Sequence, residues 1–227
     1  MAKEKKKEPD ILQPANKKGR HINPMLVFIR IIILPFVWLL YPYKLYGNKR
    51  VKDGACIYIC NHYRIWDVVH PASTTMEGIH YVAKSELKKS FIAPFCRSIK
   101  MIYVDRNKED VKALMDMMKC LKNNEKICIY PEGTRNKTNE EMLPFHGGAA
   151  MLAIKTKTPL VPIVIYKKPM PFRLNRVIVG EPFELTEYYG KKLTQEMLEE
   201  ADNKLRDRML EIRREHTAWL ESRKRKK

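Results

Sequence analysis

Short runs of β-branched and aromatic residues alternate with amphipathic helical patterns through the middle of the chain. The runs predict strands over residues 56–60, 79–83, 101–105, 127–131, 160–166 and 176–180. Helical spacing of apolar residues predicts helices over residues 85–99, 108–123 and 147–157. This alternation predicts an α/β fold, with one domain built on a mostly parallel central sheet flanked by helices.

An apolar segment, Met25–Tyr41, precedes the first predicted strand. It contains 17 residues and is interrupted by Arg30 and Pro35, whereas a spanning helix needs about 20 apolar residues. We therefore expect a membrane-associated helical hairpin that lies in one leaflet, with Trp38, Tyr41 and Tyr43 at headgroup depth. A single membrane span and a buried core helix are the alternatives.

The two ends of the chain are basic. The first 20 residues are charged and broken by Pro9 and Pro14, which predicts a disordered tail. From about Thr194 an apolar face recurs every three to four residues, which predicts a long helix packed on the domain. The expected division is a tail (1–20), a membrane-associated segment (21–48), an α/β domain (49–190) and a basic amphipathic helix (191–227).

The chain has a strong excess of positive charge. Its 227 residues include 44 Lys and Arg against 26 Asp and Glu, a net charge of +18. Such a charge calls for an anionic partner, which can be nucleic acid, a lipid surface, an acidic protein or a phosphorylated substrate. A nucleic-acid-binding module would interleave basic residues with exposed aromatics, but here the aromatics lie mainly in predicted strands and the hairpin. We expect no nucleic acid, and a basic binding module is the remote alternative.

Five cysteines are present, and no two of them form a CxxC pair. The number is odd, and most lie in or beside apolar segments. They are interpreted as reduced core residues rather than as a disulfide framework or a zinc site.

The stretch NHYRIWD follows the first predicted strand of the α/β domain and contains His62 and Asp67. On a continuous helix, residues five apart point about 140° away from each other. The two side chains meet only if the strand ends near Asn61, the chain turns, and a helix begins between them. In that arrangement the carboxylate orients the imidazole, and the other ring nitrogen can accept a proton.

Cations stand at the ends of three other predicted strands. The stretch YPEGTRN carries Glu132, Gly133, Thr134 and Arg135, in which glycine permits close backbone approach and arginine can clamp a phosphate. Two further strands end on Lys84 and Arg106. Because strand ends in such folds meet at one edge, these residues predict a common anion site.

Four blocks of this sequence together resemble the motif boxes of the glycerolipid acyltransferases. They are NHYRIWD, IYVDR, YPEGTRN and TPLVPIVI, in the family's order and with compatible spacing. The resemblance extends over roughly residues 25–190. The sequence departs from the family's pattern in two places. The family usually has glycine where Lys100 stands, and a basic pair where His146 and Gly147 stand.

The resemblance implies acyl transfer from an acyl thioester, either acyl-CoA or an acyl carrier protein, to the free hydroxyl of lysophosphatidic acid. Glycerol 3-phosphate and other lysophospholipids are alternative acceptors. It implies His62 as general base and Asp67 as its orienting group. The implied acceptor-binding residues are Arg106, Glu132, Gly133, Thr134, Arg135 and Lys84.

The resemblance also implies no cofactor and no metal, with the acyl thioester as co-substrate. The implied location is the cytoplasmic face of the cell membrane, with an anionic membrane surface as partner. A metallohydrolase that uses His62, Asp67 and either His70 or His80 is the competing interpretation. Their spacing fits no standard ligand set.

Overall fold

A seven-stranded sheet forms the centre of the molecule. The computed structural model describes residues 28–48, 54–90, 93, 96, 99–105, 110–146 and 148–225. The strands are β1 Tyr43–Gly47, β2 Cys56–Cys60, β3 Ile79–Lys84, β4 Ile102–Val104, β5 Lys126–Ile129, β6 Leu160–Ile165 and β7 Asn175–Val179. All six predicted strands are confirmed.

The strand order is β1-β7-β6-β2-β5-β3-β4. Neighbouring strands run parallel except β6 and β7, which are antiparallel. The expected mostly parallel sheet is therefore confirmed. Because β2, β3, β4 and β5 run in one direction, their carboxyl ends share one edge of the sheet, where ligand sites of open α/β sheets form.

Helices surround this sheet. They are α1 Leu34–Leu40, which follows a π-helical turn at Ile29–Ile33, α2 Val69–Ala72, α3 Val111–Lys122, α4 Gly148–Thr156 and α5 Gln195–Arg225. Asp110 caps α3, since its side chain accepts a hydrogen bond from Ala113 N at 3.0 Å. The predicted helix 85–99 is different: it begins with a 3₁₀ segment, Ser85–Lys89, and the later described residues Ala93 and Cys96 are helical.

Both faces of the sheet are buried. Along β2, Ile57 and Ile59 pack on one face with α3, α4 and α5, while Cys56, Tyr58 and Cys60 pack on the other. All five side chains of β2 are fully buried, which is why this strand is a continuous apolar run. The chain that leaves β2 is therefore anchored from both sides.

Strand β1 was not predicted and lies inside the segment predicted to be helical. Its pairing partner is β7, far along the chain, so no local pattern indicates it. No helix within the described residues combines the length and the apolarity needed to cross a bilayer. The predicted tail, 1–20, and the first part of the predicted hairpin, 21–27, lie outside the described residues.

Candidate active site

Asn61 closes the carboxyl end of β2 onto β6. Its Nδ2 donates to Ile165 O at 3.0 Å, and its Oδ1 accepts from Ile165 N at 2.7 Å. The side chain is fully buried, and it thus replaces one step of the sheet's hydrogen bonding. The next residue, His62, begins from a fixed backbone position.

His62 and Asp67 are in contact, as the sequence predicted. His62 Nδ1 lies 2.9 Å from Asp67 Oδ2. A turn leaves β2, and the 3₁₀ segment Ile65–Val68 begins between the two residues. The same Oδ2 accepts from the backbone N–H groups of Tyr63 and Arg64, each at 2.6 Å. Three donors therefore converge on one buried carboxylate oxygen.

This arrangement determines the tautomer of His62. A carboxylate beside Nδ1 accepts a hydrogen bond from Nδ1–H, so the proton of the neutral ring stays on Nδ1 and the lone pair is on Nε2. No hydrogen bond joins Nε2 to any residue that the structure describes. The His62 side chain is 18% exposed while Asp67 is 1% exposed, and the Tyr130 ring lies 4.2 Å from the imidazole ring, centroid to centroid. The site therefore presents a basic nitrogen at the surface and keeps its partner buried.

Glu132 lies beneath this pair. Its Oε1 accepts from His62 N at 2.9 Å, and its Oε2 accepts from Leu143 N at 3.0 Å. Burial raises the pKa of Glu132, and these two backbone hydrogen bonds act in the opposite direction. The structure argues against the predicted contact of Glu132 with an acceptor, because both oxygens point into the protein and are used. Glu132 instead positions the backbone of His62.

The turn after β5 is joined to the turn after β2. Asn136 N donates to His62 O at 2.6 Å. Gly133 has a φ of +66°, a left-handed conformation that favours glycine, and its N–H donates to Tyr130 O at 3.0 Å. Thr134 and Arg135 are exposed on this turn. Two of the predicted acceptor-binding side chains therefore face solvent beside the backbone of His62.

The remaining predicted cations are less directly placed. Lys84 is exposed at the carboxyl end of β3, two strands away from β2. Arg106 and Gly147 lie outside the described residues. His146 stands where the family usually has a basic residue. Its backbone N–H donates to Pro131 O at 3.0 Å, which fixes His146 to the turn after β5.

Two buried side chains near the site, Cys60 and His70, are not placed to act as a nucleophile or as a charged group. Cys60 is fully buried, and burial raises its pKa, so it cannot present a thiolate nucleophile. His70 Nε2 lies 4.0 Å from Asp67 Oδ1, and burial lowers the pKa of His70 to about 4. His70 is therefore a neutral neighbour of the carboxylate.

One group of described residues could bring three metal ligands together: His80, Cys120 and Glu125, whose ligand atoms all lie within 4.8 Å of one another. It lies at the amino ends of β3 and β5, the edge opposite His62. His80 is therefore remote from His62 and Asp67. Although His70 lies near Asp67, the ligand atoms of His62, Asp67 and His70 do not form, among the described residues, a group that all lie within 4.8 Å of one another. All five cysteines are free, as predicted.

Sequence reasoning missed Asn61 and Asn136. Both residues are buried. The side-chain amide of Asn61 hydrogen-bonds to Ile165, far along the chain, and its only local signal was its place at the end of an apolar run. The side chain of Asn136 bonds locally to Thr138 and Glu140, and its backbone N–H makes the long-range bond to His62. A narrow crevice beside Asp67 was also not foreseen. Its lining includes Val37, Trp66, Asp67 and Pro169, so α1 and the β6–β7 connection meet at the site.

Comparisons with known proteins place the chain among acyltransferases. A family model described as Acyltransferase matches residues 43–166, more than half of the chain. The chain is 30% identical over 154 residues to a 1-acyl-sn-glycerol-3-phosphate acyltransferase of Bacillus subtilis, an alignment that covers 64% of this chain and 75% of that protein. The chain is also 32% identical over 117 residues to a protein of the same name from Helicobacter pylori. That alignment covers 49% of this chain and 48% of that protein. The chain thus spans only about half the length of the latter relative.

A solved structure shares the fold. It is the 1-acyl-sn-glycerophosphate acyltransferase of Thermotoga maritima, with a TM-score of 0.59 and 23% identity over 84% of this chain and 78% of that chain. At this identity the likeness concerns the architecture.

Proposed function

The chain belongs to the acyltransferase family, and from that membership we propose that it transfers an acyl chain from an acyl thioester to the free hydroxyl of lysophosphatidic acid. The product is phosphatidic acid. One observation carries the proposal: the 2.9 Å contact between His62 Nδ1 and Asp67 Oδ2, which leaves Nε2 available as a base. The names of the relatives supply the acceptor class.

In the proposed reaction, Nε2 of His62 accepts the proton of the acceptor hydroxyl. Asp67 stabilises the resulting imidazolium through Nδ1–H. The alkoxide attacks the thioester carbonyl, the tetrahedral intermediate collapses, and the thiolate leaves and takes the proton back from His62. The attacking oxygen comes from the substrate, so no covalent enzyme intermediate is formed. No metal enters the scheme, because a thiolate is already a good leaving group.

The acceptor's phosphate is proposed to bind to Arg135 and Thr134, with Arg106 and Lys84 as further cations. Arg135 and Thr134 are exposed on the turn that Asn136 fastens to His62. Gly133 allows the acceptor to approach the backbone of this turn closely. Fixed spacing matters, because a hydroxyl misplaced by about 1 Å can cost on the order of 100-fold in rate.

We also propose that the protein works at the cytoplasmic surface of an anionic membrane. Helix α1 is apolar on all sides, and only Val37 among its residues is buried. A helix of this kind is stable against lipid rather than water. The net charge of +18 suits both an anionic surface and an acidic acyl carrier protein.

The test is an acyl-transfer assay on purified protein in detergent, with acyl-CoA and acyl carrier protein each offered as donor. Lysophosphatidic acid, glycerol 3-phosphate and lysophosphatidylcholine are compared as acceptors. We expect thiol release only with lysophosphatidic acid, together with labelled phosphatidic acid. Equal thiol release without any acceptor would identify a thioesterase instead, and transfer to glycerol 3-phosphate alone would replace the proposed acceptor.

A further inference from the structure

The β6–β7 loop, residues 166–174, holds three large apolar side chains in water. Met170 is 51% exposed, Phe172 is 73% exposed and Leu174 is 54% exposed. They alternate along the chain, and two prolines, Pro169 and Pro171, flank Met170. Apolar surface of this kind grouped in one segment is typical of an interaction site.

Hydrogen bonds fix the conformation of this loop. Asn175 Oδ1 accepts from Met170 N at 3.0 Å, and Asn175 Nδ2 donates to Arg173 O at 2.9 Å. Phe172 N donates to Leu40 O at 2.7 Å, which joins the loop to the end of α1. Phe172 also has a φ of +56°, an unfavourable backbone conformation for this residue. The protein therefore accepts local strain at an aromatic side chain that gains little burial.

The loop lies beside two other apolar elements. Helix α1, joined to it at Leu40, exposes Phe36, Trp38 and Leu39. The turn that carries His62 exposes Ile65 and Trp66. One crevice is lined by residues of all three elements, Val37, Trp66 and Pro169, together with Asp67. The three apolar elements thus meet beside Asp67, the partner of His62.

The charged residues of the loop indicate what kind of surface binds its apolar side chains. Lys167, Lys168 and Arg173 flank the apolar side chains, and no acidic residue occurs between positions 167 and 175. An apolar segment bordered by cations fits an anionic lipid surface, where the side chains enter the acyl region and the cations meet headgroups.

We propose that the β6–β7 loop is a second membrane-contacting element, which together with α1 seats the rim of the active site on an anionic bilayer. The inference rests on the proposed function, since it gives the bilayer-embedded acceptor a route to His62. Two fixed contacts define an orientation, whereas α1 alone would leave the molecule free to rotate about one anchor.

The first experiment measures flotation of the full chain with vesicles of phosphatidylcholine containing about 30% phosphatidylglycerol. The variant Met170→Ser/Phe172→Ser/Leu174→Ser is compared with Met76→Ser/Val111→Ser/Met115→Ser, which removes three similarly exposed side chains elsewhere on the surface. We expect the loop variant to bind roughly 10-fold more weakly or worse and the control to bind as the wild type does. Equal binding of both variants would overturn the proposal.

A second variant tests the charge. In Lys167→Gln/Lys168→Gln/Arg173→Gln we expect a loss of binding on the order of 10-fold with the anionic vesicles, and no change with pure phosphatidylcholine. The same loss on both vesicles would show that the cations support the fold of the loop, against the proposal.

Activity separates this inference from the proposed function. With a short-chain, water-soluble acceptor, the loop variant should keep wild-type kcat, and with acceptor in vesicles it should lose rate in step with binding. Loss of both activities with a normal melting temperature would make the loop part of the catalytic machinery and contradict the proposal. A wild type that binds vesicles through the loop but transfers no acyl chain would refute the function alone.

Discussion

Two histidine–carboxylate pairs occupy opposite edges of the same sheet, and only one is arranged as a base. His62 meets Asp67 at 2.9 Å, and His80 Nε2 meets Glu125 Oε2 at 3.2 Å. In the second pair, however, His80 Nδ1 lies 2.9 Å from Lys100 O. Both ring nitrogens of His80 are used within the protein, whereas His62 keeps one. The number of unused ring nitrogens, not the presence of a carboxylate, distinguishes a base from a structural contact.

The carboxylates differ in the same way. Asp67 is buried and accepts three hydrogen bonds on one oxygen, which supports its negative charge. Glu125 is partly exposed, and its partners are the His80 imidazole and the Cys120 thiol. A buried carboxylate whose Oδ2 is held by two backbone N–H groups can stabilise an imidazolium throughout a reaction cycle.

The largest effect should separate the two histidines. We expect His62→Ala to lower kcat by about 10³-fold or more, because proton transfer by a positioned base is lost. His80→Ala should leave kcat near the wild-type value and lower the free energy of unfolding by about 1–3 kcal/mol, since buried partners lose their hydrogen bonds. Steady-state kinetics and urea unfolding of both variants measure this. Comparable loss of kcat in the two would remove the distinction.

The next effect concerns the partners of the histidines. Asp67→Asn should lower kcat by about 10²- to 10⁴-fold with little change in KM, because the imidazolium loses its charge partner and the tautomer is no longer fixed. Glu125→Gln is the matched change in the other pair and should leave kcat unaffected. A full rate in Asp67→Asn would mean that His62 works without an orienting charge.

A third carboxylate, Asp202 in α5, is buried like Asp67 but lacks the hydrogen-bond donors that surround Asp67. Its Oδ1 has no hydrogen-bond partner in the described part of the chain, and burial raises the pKa of Asp202 to about 6. A raised pKa means that the contribution to stability is present below about pH 4 and is lost as pH rises through about 6. Asp202→Asn should therefore stabilise the protein by about 1–2 kcal/mol at pH 8 and by much less at pH 4. Thermal unfolding at the two pH values tests this, and a pH-independent difference would contradict it.

The smallest effect lies at Lys100, whose carbonyl serves His80. Its φ is +52°, the left-handed conformation in which a Cβ is unfavourable. The structure thus gives a physical reason why glycine is the usual residue of the family at this position. We expect Lys100→Gly to raise the free energy of unfolding by about 0.5–1 kcal/mol. Lys100→Ala, which keeps the Cβ, is the control and should show no such gain.

Local patterns predicted most of the fold and part of the site. Six strands were predictable because buried parallel strands are continuous apolar runs between turns. The contact between His62 and Asp67 was predictable because it needs only one turn after a strand. Strand β1 was not, since its partner β7 is distant in sequence. The inward direction of the Glu132 side chain was also not predictable. In the sequence, a glutamate in a polar turn looks the same whether it binds a substrate or hydrogen-bonds to the backbone beneath it.

The two hydrogen bonds between Asn61 and Ile165 have a mechanical consequence. Ile165 is the last residue of β6, and the loop proposed to enter the bilayer begins at the next residue. The side chain of Asn61 therefore joins the start of that loop directly to the backbone that precedes His62. If the loop enters the bilayer as proposed, this connection fixes the distance between the imidazole and the lipid surface. A fixed distance of this kind would select acceptors by the depth of their hydroxyl in the bilayer rather than by the length of their acyl chain.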